Sequence, residues 1–223
     1  MRLNKYVAQG SSLSRRAADG AIERGRVTIN GATASLGNVV HDGDKVLLDG
    51  RPLQRAATYT TILFHKPRGY ICSRDGQGSA TIYDLLPKQY HRLQTAGRLD
   101  KNSSGLLLLS DDGALLQQLT HPKYQKTKVY RVKLNAPLEP LHQQMIVDHG
   151  VGLSDGPSRF SIQTADNNRA LLTVSLSEGR NRQIRRTFDA LGYRVIDLHR
   201  TQFGPYNLGD LAEGELRHIE KNS

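Results

Sequence analysis

The sequence predicts an α+β fold on a largely antiparallel mixed sheet, with a small N-terminal module ahead of a larger domain. Three observations carry this. Beyond residue 60, strand-like runs outnumber helical ones and do not alternate with them regularly, as a parallel β/α fold would require. The first 50 residues instead read as two short helices followed by short strands between Asx-Gly turns. At 223 residues the chain has room for one large domain, or a large and a small one, and its 37% apolar residues suffice for a packed core.

In chain order, the first helix runs from about Leu3 to Gln9, with Leu3 and Val7 on one face and Gly10 as its stop. The second starts after Ser14, a good N-cap, and runs to about Arg24; Ala18, Ala21 and Ile22 face inward and Gly25 suits the position after the cap. Arg26–Ile29 reads as a strand, and Asn30-Gly31 as a tight turn. Asp42-Gly43 and Asp49-Gly50 bracket a strand, Lys45–Leu48. The N-terminal module therefore spans residues 1–48, and residues 49–59, with Pro52 and Arg55, read as a linker. In the larger domain, residues 60–223, strands are expected at Thr61–His65, Gly105–Leu109, Lys126–Leu134, Ser158–Thr164, Ala170–Leu176 and Arg194–Leu198. Helices are expected at Asp112–Thr120 and about Asn181–Leu191, where Ile184, Phe188 and Leu191 form an i, i+4, i+7 stripe.

The 31 Lys and Arg against 21 Asp and Glu set a formal net charge of +10, which suits an anionic partner, most often nucleic acid. No apolar run approaches the roughly 18 residues of a membrane helix, and no apolar leader follows Met1. The single Cys72 allows no internal disulfide and no cysteine-based metal site. No two-histidine metal pair at i, i+4 occurs, so no metal is expected, and Gly76-Gln77-Gly78 is too short for a dinucleotide loop. A soluble cytoplasmic protein without membrane contact is the expectation, and its two modules suggest a monomer.

Charge is concentrated at the start. Residues 1–26 hold Arg2, Lys5, Arg15, Arg16, Arg24 and Arg26 against only Asp19 and Glu23. Arg15 and Arg16 fall in the first turn of a helix, where the dipole opposes cations, so a phosphate there would gain from both guanidinium groups and the free backbone N–H groups. A solvated charge run explains the same residues. The ordered set Arg2-Leu3-Asn4-Lys5-Tyr6, Ser14-Arg15-Arg16, Arg24-Gly25-Arg26-Val27, Asn30-Gly31 and Asp42-Gly43-Asp44 closely resembles the S-four RNA-binding domain. The resemblance covers residues 1 to about 48 and implies binding of structured RNA through these six cations. The segment Gly10-Ser11-Ser12-Leu13 before the second helix departs from the commoner spacing.

Gly97-Arg98-Leu99-Asp100 precedes a polar loop and the apolar strand Leu106–Leu109. A carboxylate at that position, flanked by Arg98 and Lys101, stays ionised and can act as nucleophile or base, although Asp is also a favoured turn residue. Gly97-Arg98-Leu99-Asp100 with Ser104-Gly105-Leu106 and Asp112-Gly113 is similar to the active-site motif of the RsuA-type pseudouridine synthases. Lys66-Pro67-Arg68-Gly69, Lys128-Val129-Tyr130-Arg131-Val132 and Glu178-Gly179-Arg180-Asn181-Arg182-Gln183-Ile184-Arg185-Arg186 fit that family's other stretches in order.

The resemblance implies isomerisation of a uridine in ribosomal RNA, without cofactor, with Asp100 attacking or deprotonating the sugar. It implies that Arg98 fills the gap left by the flipped base, and that Tyr130 stacks on the uracil and accepts the last proton. It also implies that Arg185 pairs with Asp100 and that Ile184 packs on the base. From the residues alone, Tyr130 is a core tyrosine on the face it shares with Val132 and Leu134, and Ile184 a core residue beside Phe188. Arg180, Arg182 and Arg186 crowd the same helix start, which suits phosphate or Asp100; many relatives have His where Arg182 stands. Two rivals stay open: an RNA-binding protein without catalysis, and a pseudouridine synthase acting on transfer RNA. Gly69-Tyr70-Ile71-Cys72-Ser73 is similar to small-subunit enzymes, and Asn181–Arg186 to large-subunit ones. The substrate is either free ribosomal RNA or an assembling particle.

Overall fold

The computed structural model describes residues 1–11, 13–53 and 59–219 and divides the chain into two compact units, Met1–Tyr59 and Thr60–Ser223. In the first unit, α1 (Leu3–Gly10) and α2 (Arg15–Glu23) are followed by β1 (Val27–Ile29), β2 (Ala32–Thr33), β3 (Val46–Leu48) and β4 (Arg51–Pro52), with strand order β2-β1-β3-β4. Local chemistry sets the ends of α2. Ser14 Oγ accepts the Ala17 N–H at 3.1 Å. At the other end Gly25, with φ +69°, donates to Ile22 O, and Arg26 N donates to Ala21 O, which closes a Schellman cap. Leu3, Val7, Ala18, Ala21 and Ile22 meet Val27 and Val46 in the unit's core.

The expected linker begins too early. Asp49 and Gly50, at φ +51° and +75°, make a hairpin turn, and Arg51–Pro52 pairs with Leu47 and Leu48. Pro52 is tolerated because β4 is an edge strand. Leu53 packs on the unit's core, so the N-terminal module extends beyond residue 48. The rest of that linker, residues 54–58 with Arg55, lies outside the described residues, as does Ser12.

The second unit contains β5 (Thr61–Lys66), β6 (Gln94–Thr95), β7 (Ser104–Ser110), α3 (Gly113–Thr120) and β8 (Lys128–Leu134). Then come α4 (Pro140–Gln144), running into a π-helical turn Met145–His149, and β9 (Val151–Leu153), β10 (Gly156–Ser158), β11 (Ser161–Thr164) and β12 (Leu171–Leu176). The chain continues with α5 (Gln183–Ala190), β13 (Val195–Phe203), β14 (Tyr206–Asn207) and β15 (Leu216–His218). The main sheet has the order β11-β12-β8-β13-β7-β5-β15, and along it only β13 and β7 pair in parallel. The fold is thus α+β on a largely antiparallel mixed sheet, as expected. Four boundaries differ by two residues or more. β8 starts at Lys128, not Lys126, and α5 at Gln183, not Asn181. The strand expected over Ser158–Thr164 splits between β10 and β11, and β13 runs on to Phe203 through two register shifts.

All seven residues of β7 are buried, which explains its continuous apolar run. Leu107 and Leu109 join Ile62, Phe64 and Tyr90 in one cluster, while Leu106 and Leu108 join Leu63, Leu119 and Phe203 in another. One lateral row matters for the site: Lys66 pairs with Gly105, Gly105 with Arg200, Arg200 with Tyr130, and Tyr130 with Val174. Gly105 has φ +106°, and a Cβ there would lie 2.3 Å from Arg200 O and 2.6 Å from Arg200 N. The Gly105→Ala variant is therefore expected to lose about 3–5 kcal/mol, from backbone strain plus overpacking. Urea unfolding checks this; a loss below about 1 kcal/mol would show that the two strands separate freely.

His199, beside Arg200, is buried and shares a hydrogen bond with Ser104 Oγ through Nδ1 at 2.9 Å; its ring meets His65 edge-on with centroids 5.2 Å apart. Burial holds His199 below the ordinary histidine value, helped by Arg131 and His65 and opposed by Asp197 and Glu213. Its folded value lies below its unfolded one, so its contribution to stability is full above about pH 6.5 and is lost as pH falls through the folded value. Melting temperature should fall over that acid window, and less steeply in His199→Asn. Parallel curves for the two proteins would remove His199 as the cause.

Candidate active site

Asp100 lies on the loop that leads into β7, and this loop is held from two sides. From beneath, Lys66, at the end of β5 and fully buried, donates through Nζ to Pro67 O at 2.8 Å, Asp100 O at 3.2 Å and Ser103 O at 2.8 Å. Burial lowers the Lys66 ammonium from its ordinary value, while Cys72 and Asp100 oppose that shift. From the side, Arg185 on α5 donates through Nη2 to Asn102 O at 2.8 Å and to Ser103 Oγ at 3.3 Å, and through Nη1 to Val195 O at 3.0 Å. Gly69 N donates to Lys101 O at 2.8 Å, and Ser103 N closes the loop onto Asp100 O at 3.0 Å. Every residue from 100 to 103 is thus tied through its main chain, while the Asp100 carboxylate stays about a third exposed.

Two guanidinium groups face that carboxylate. Arg182 Nη1 is 3.6 Å and Arg185 Nε 3.9 Å from Asp100 Oδ2. Both are ion-pair distances, longer than a hydrogen bond. The two cations therefore orient the carboxylate without taking up its lone pairs in hydrogen bonds. Arg185 Nε is buried with no hydrogen-bond partner, so its N–H is available to a carboxylate that moves by about an ångström. Burial and Arg182 pull the Arg185 guanidinium below its ordinary value, with Asp100 opposing them. Arg182 stands in the left-handed region, φ +47°, as the N-cap of α5 and gives no side-chain cap. The positive end of the helix dipole therefore adds to the two cations.

Leu99, next to Asp100, packs in one cluster with Tyr130, Ile184 and Phe188, which draws the loop, β8 and α5 together. Tyr130 is 9% exposed and lies on the Val132 and Leu134 face, as strand period predicts; none of the described residues hydrogen-bonds its hydroxyl. Ile184 is buried in the same cluster. Arg98 is exposed, with no ion pair to a described residue. Cys72 exchanges 3.4 Å contacts with the main chain of Leu99, and burial raises its thiol above the ordinary value.

Arg180 and Arg186 differ from the expectation that they face substrate. Arg186 grips both carboxylate oxygens of Asp155 at 3.1 and 2.8 Å, and Arg180 binds Asp155 together with Gly156 O and Pro157 O. They hold the β9–β10 hairpin against α5, and neither pairs with Asp100. In the N-terminal unit, Arg26 is likewise bidentate on Asp49. Arg2, Lys5, Arg15, Arg16 and Arg24 have no carboxylate partner among the described residues, and Arg15 and Arg16 are exposed in the first turn of α2.

The motif that contains Lys66 does not by itself assign it a role. A lysine ending a buried strand directly before a proline was the available signal. Nor does the sequence single out Arg200, which is 1% exposed, donates through Nε to Leu106 O at 2.8 Å and lies over the Phe203 ring at 4.9 Å. The ion pair between Arg68 and Asp197 was equally invisible, because 129 residues separate the partners.

Among known proteins, the RNA pseudouridylate synthase family model matches residues 60–190, and the S4 domain model matches residues 1–46. The chain is 35% identical over 224 residues to ribosomal small subunit pseudouridine synthase A of Pasteurella multocida, covering 98% of this chain and 96% of that protein. It is also 35% identical over 227 residues to ribosomal large subunit pseudouridine synthase B of Bacillus subtilis, covering 98% and 91%. A crystal structure of a pseudouridylate synthase superposes with TM-score 0.71 at 32% identity, covering 99% of this chain and 96% of that one.

Proposed function

Because the chain belongs to the RNA pseudouridylate synthase family and carries an S4 domain, we propose that it isomerises a specific uridine of ribosomal RNA to pseudouridine in the cytoplasm. Asp100 is the catalytic carboxylate in this reading, and no cofactor takes part. The observation that carries it is the Asp100 carboxylate itself, about a third exposed on a loop clamped by Lys66 and Arg185 and faced by two guanidinium groups.

The reaction exchanges the bond from the sugar to a ring nitrogen for one to a ring carbon. The nucleotide must leave its stack for the carboxylate to reach it. Asp100 then attacks the sugar or removes a proton from it, and the uracil departs; both routes need a carboxylate held in place, which Arg185 and Arg182 orient. The freed uracil turns while held between Tyr130 and the apolar surface of Ile184. The ring carbon then joins the sugar as the bond to Asp100 breaks, or as Asp100 returns the proton it took; Tyr130, whose hydroxyl has no hydrogen-bond partner among the described residues, passes the proton of that ring carbon on towards the freed ring nitrogen. Arg98, exposed and planar, stacks in the gap left in the RNA. Arg2, Lys5, Arg15, Arg16 and Arg24 bind RNA phosphates from the N-terminal unit. Arg26, Arg180 and Arg186 support these surfaces through their ion pairs rather than contacting RNA.

The relatives named above are split between small- and large-subunit synthases, so both RNAs belong in the test. Purified protein is incubated with transcribed small- and large-subunit ribosomal RNA, with partly assembled particles and with transfer RNA. Pseudouridine is then mapped by chemical tagging and primer extension. A single new stop in one ribosomal RNA is the expected result. A stop in transfer RNA alone, or none on any substrate with binding retained, would overturn the assignment.

A further inference from the structure

The turn after α5 leads directly into β13, and an open cleft of about 250 Å³ lies between helix and strand. Four arginines line it, Arg182, Arg185, Arg186 and Arg194, against the single carboxylate of Asp189. Their charges are not equally free. Arg186 is spent on Asp155, and Arg185 on the main chain of Asn102 and Val195. Arg194 is exposed, and its side chain has no hydrogen bond or ion pair with a described residue. Among the described residues, Arg182 has one ion pair, with Asp100 at 3.6 Å. On the wall, the Tyr193 hydroxyl accepts from Glu139 N at 3.2 Å and shares a hydrogen bond with His142 Nδ1 at 2.8 Å. A concave, cationic seat with the unpaired guanidinium of Arg194 and that of Arg182, held by Asp100 only at ion-pair distance, suits an anion with several oxygens.

We propose that this cleft seats a backbone phosphate of the RNA, next to the uridine taken up at Asp100. Arg194 and Arg182 are its donors and Arg185 its floor. The inference rests on the function proposed above. Arg182 borders both the cleft and Asp100, so an occupant sits at the rim of the candidate active site. A flipped nucleotide needs its flanking backbone held, because unstacking alone is unfavourable. Asp189 tempers the field, so that the phosphate can leave after turnover.

The test pairs Arg194→Gln with RNA fragments around the mapped uridine, each with one phosphate replaced by a neutral methylphosphonate. Neutralising one flanking phosphate should raise the wild-type KM about tenfold. Arg194→Gln should raise KM by a similar factor and be insensitive to neutralisation at that same position. The slope of log affinity against log salt should fall by about 0.7–0.9 in the variant. Effects of variant and neutralisation that multiply at every position, or an unchanged slope, would overturn the proposal. If the wild type forms no pseudouridine on any RNA, the function fails instead. The salt slope, read by filter binding, then still decides whether Arg194 meets a phosphate.

Discussion

Asp100→Asn is expected to abolish pseudouridine formation, lowering kcat by at least about 10⁴-fold, the upper end of what a single positioned acid–base group contributes. The substitution conserves shape. The main-chain contacts that fix the loop, from Lys66 to Asp100 O and Ser103 O and from Arg185 to Asn102 O, do not involve the carboxylate, so the loop stays in place. What is lost is the negative charge facing Arg182 and Arg185. An amide oxygen is too weak a nucleophile or base for either route. RNA affinity should hold or rise slightly, because an anion leaves a cationic surface. Single-turnover pseudouridine assays and filter binding on the same RNA check both halves. Residual turnover above about 1% of wild type would mean that another group performs the chemistry.

Lys66→Met is expected to lower kcat by about 10²-fold while RNA affinity stays near wild type, because small misplacements of a reacting group have costs of that size. Methionine fills the buried space but cannot donate. The carbonyls of Pro67 and Ser103 lose a charged donor, and Asp100 O retains only the Ser103 N–H. Stability should fall by about 2–3 kcal/mol. The loop then samples other conformations, and Asp100 drifts from Arg182 and Arg185. A folded variant with wild-type kcat would show that the contacts from Arg185, Gly69 and Ser103 position the loop without Lys66. Circular dichroism and urea unfolding separate this outcome from simple loss of fold.

The elements legible in the sequence are those whose causes are local. Ser14 and Gly25 bound α2 because a hydroxyl and a residue able to take positive φ are needed there, wherever the helix sits in the fold. The buried run of β7, the period-2 face of Tyr130 and the α5 stripe through Ile184 and Phe188 are likewise properties of short stretches. The two-residue strands β4 and β14, the hairpin of β9 and β10, and β15 were not foreseen. Segments so short have no periodicity, and they exist only because a partner strand supplies their hydrogen bonds.

The arginines show the same division. Arg15, Arg26, Arg182 and Arg186 are alike as residues in a basic run, but Asp49 takes up Arg26 and Asp155 takes up Arg186, from 23 and 31 residues away. Arg182 is left near Asp100, and Arg15 faces solvent. By itself the sequence determined the fold class, the strong local elements and the order of motifs around Asp100, because backbone preference and side-chain chemistry are carried residue by residue. The tertiary structure alone decided which cations are spent and which are free, and that the buried Lys66 and Arg185 clamp the Asp100 loop. Charge pairing and burial depend on distances between segments far apart in the chain, and these exist only once the sheet has formed.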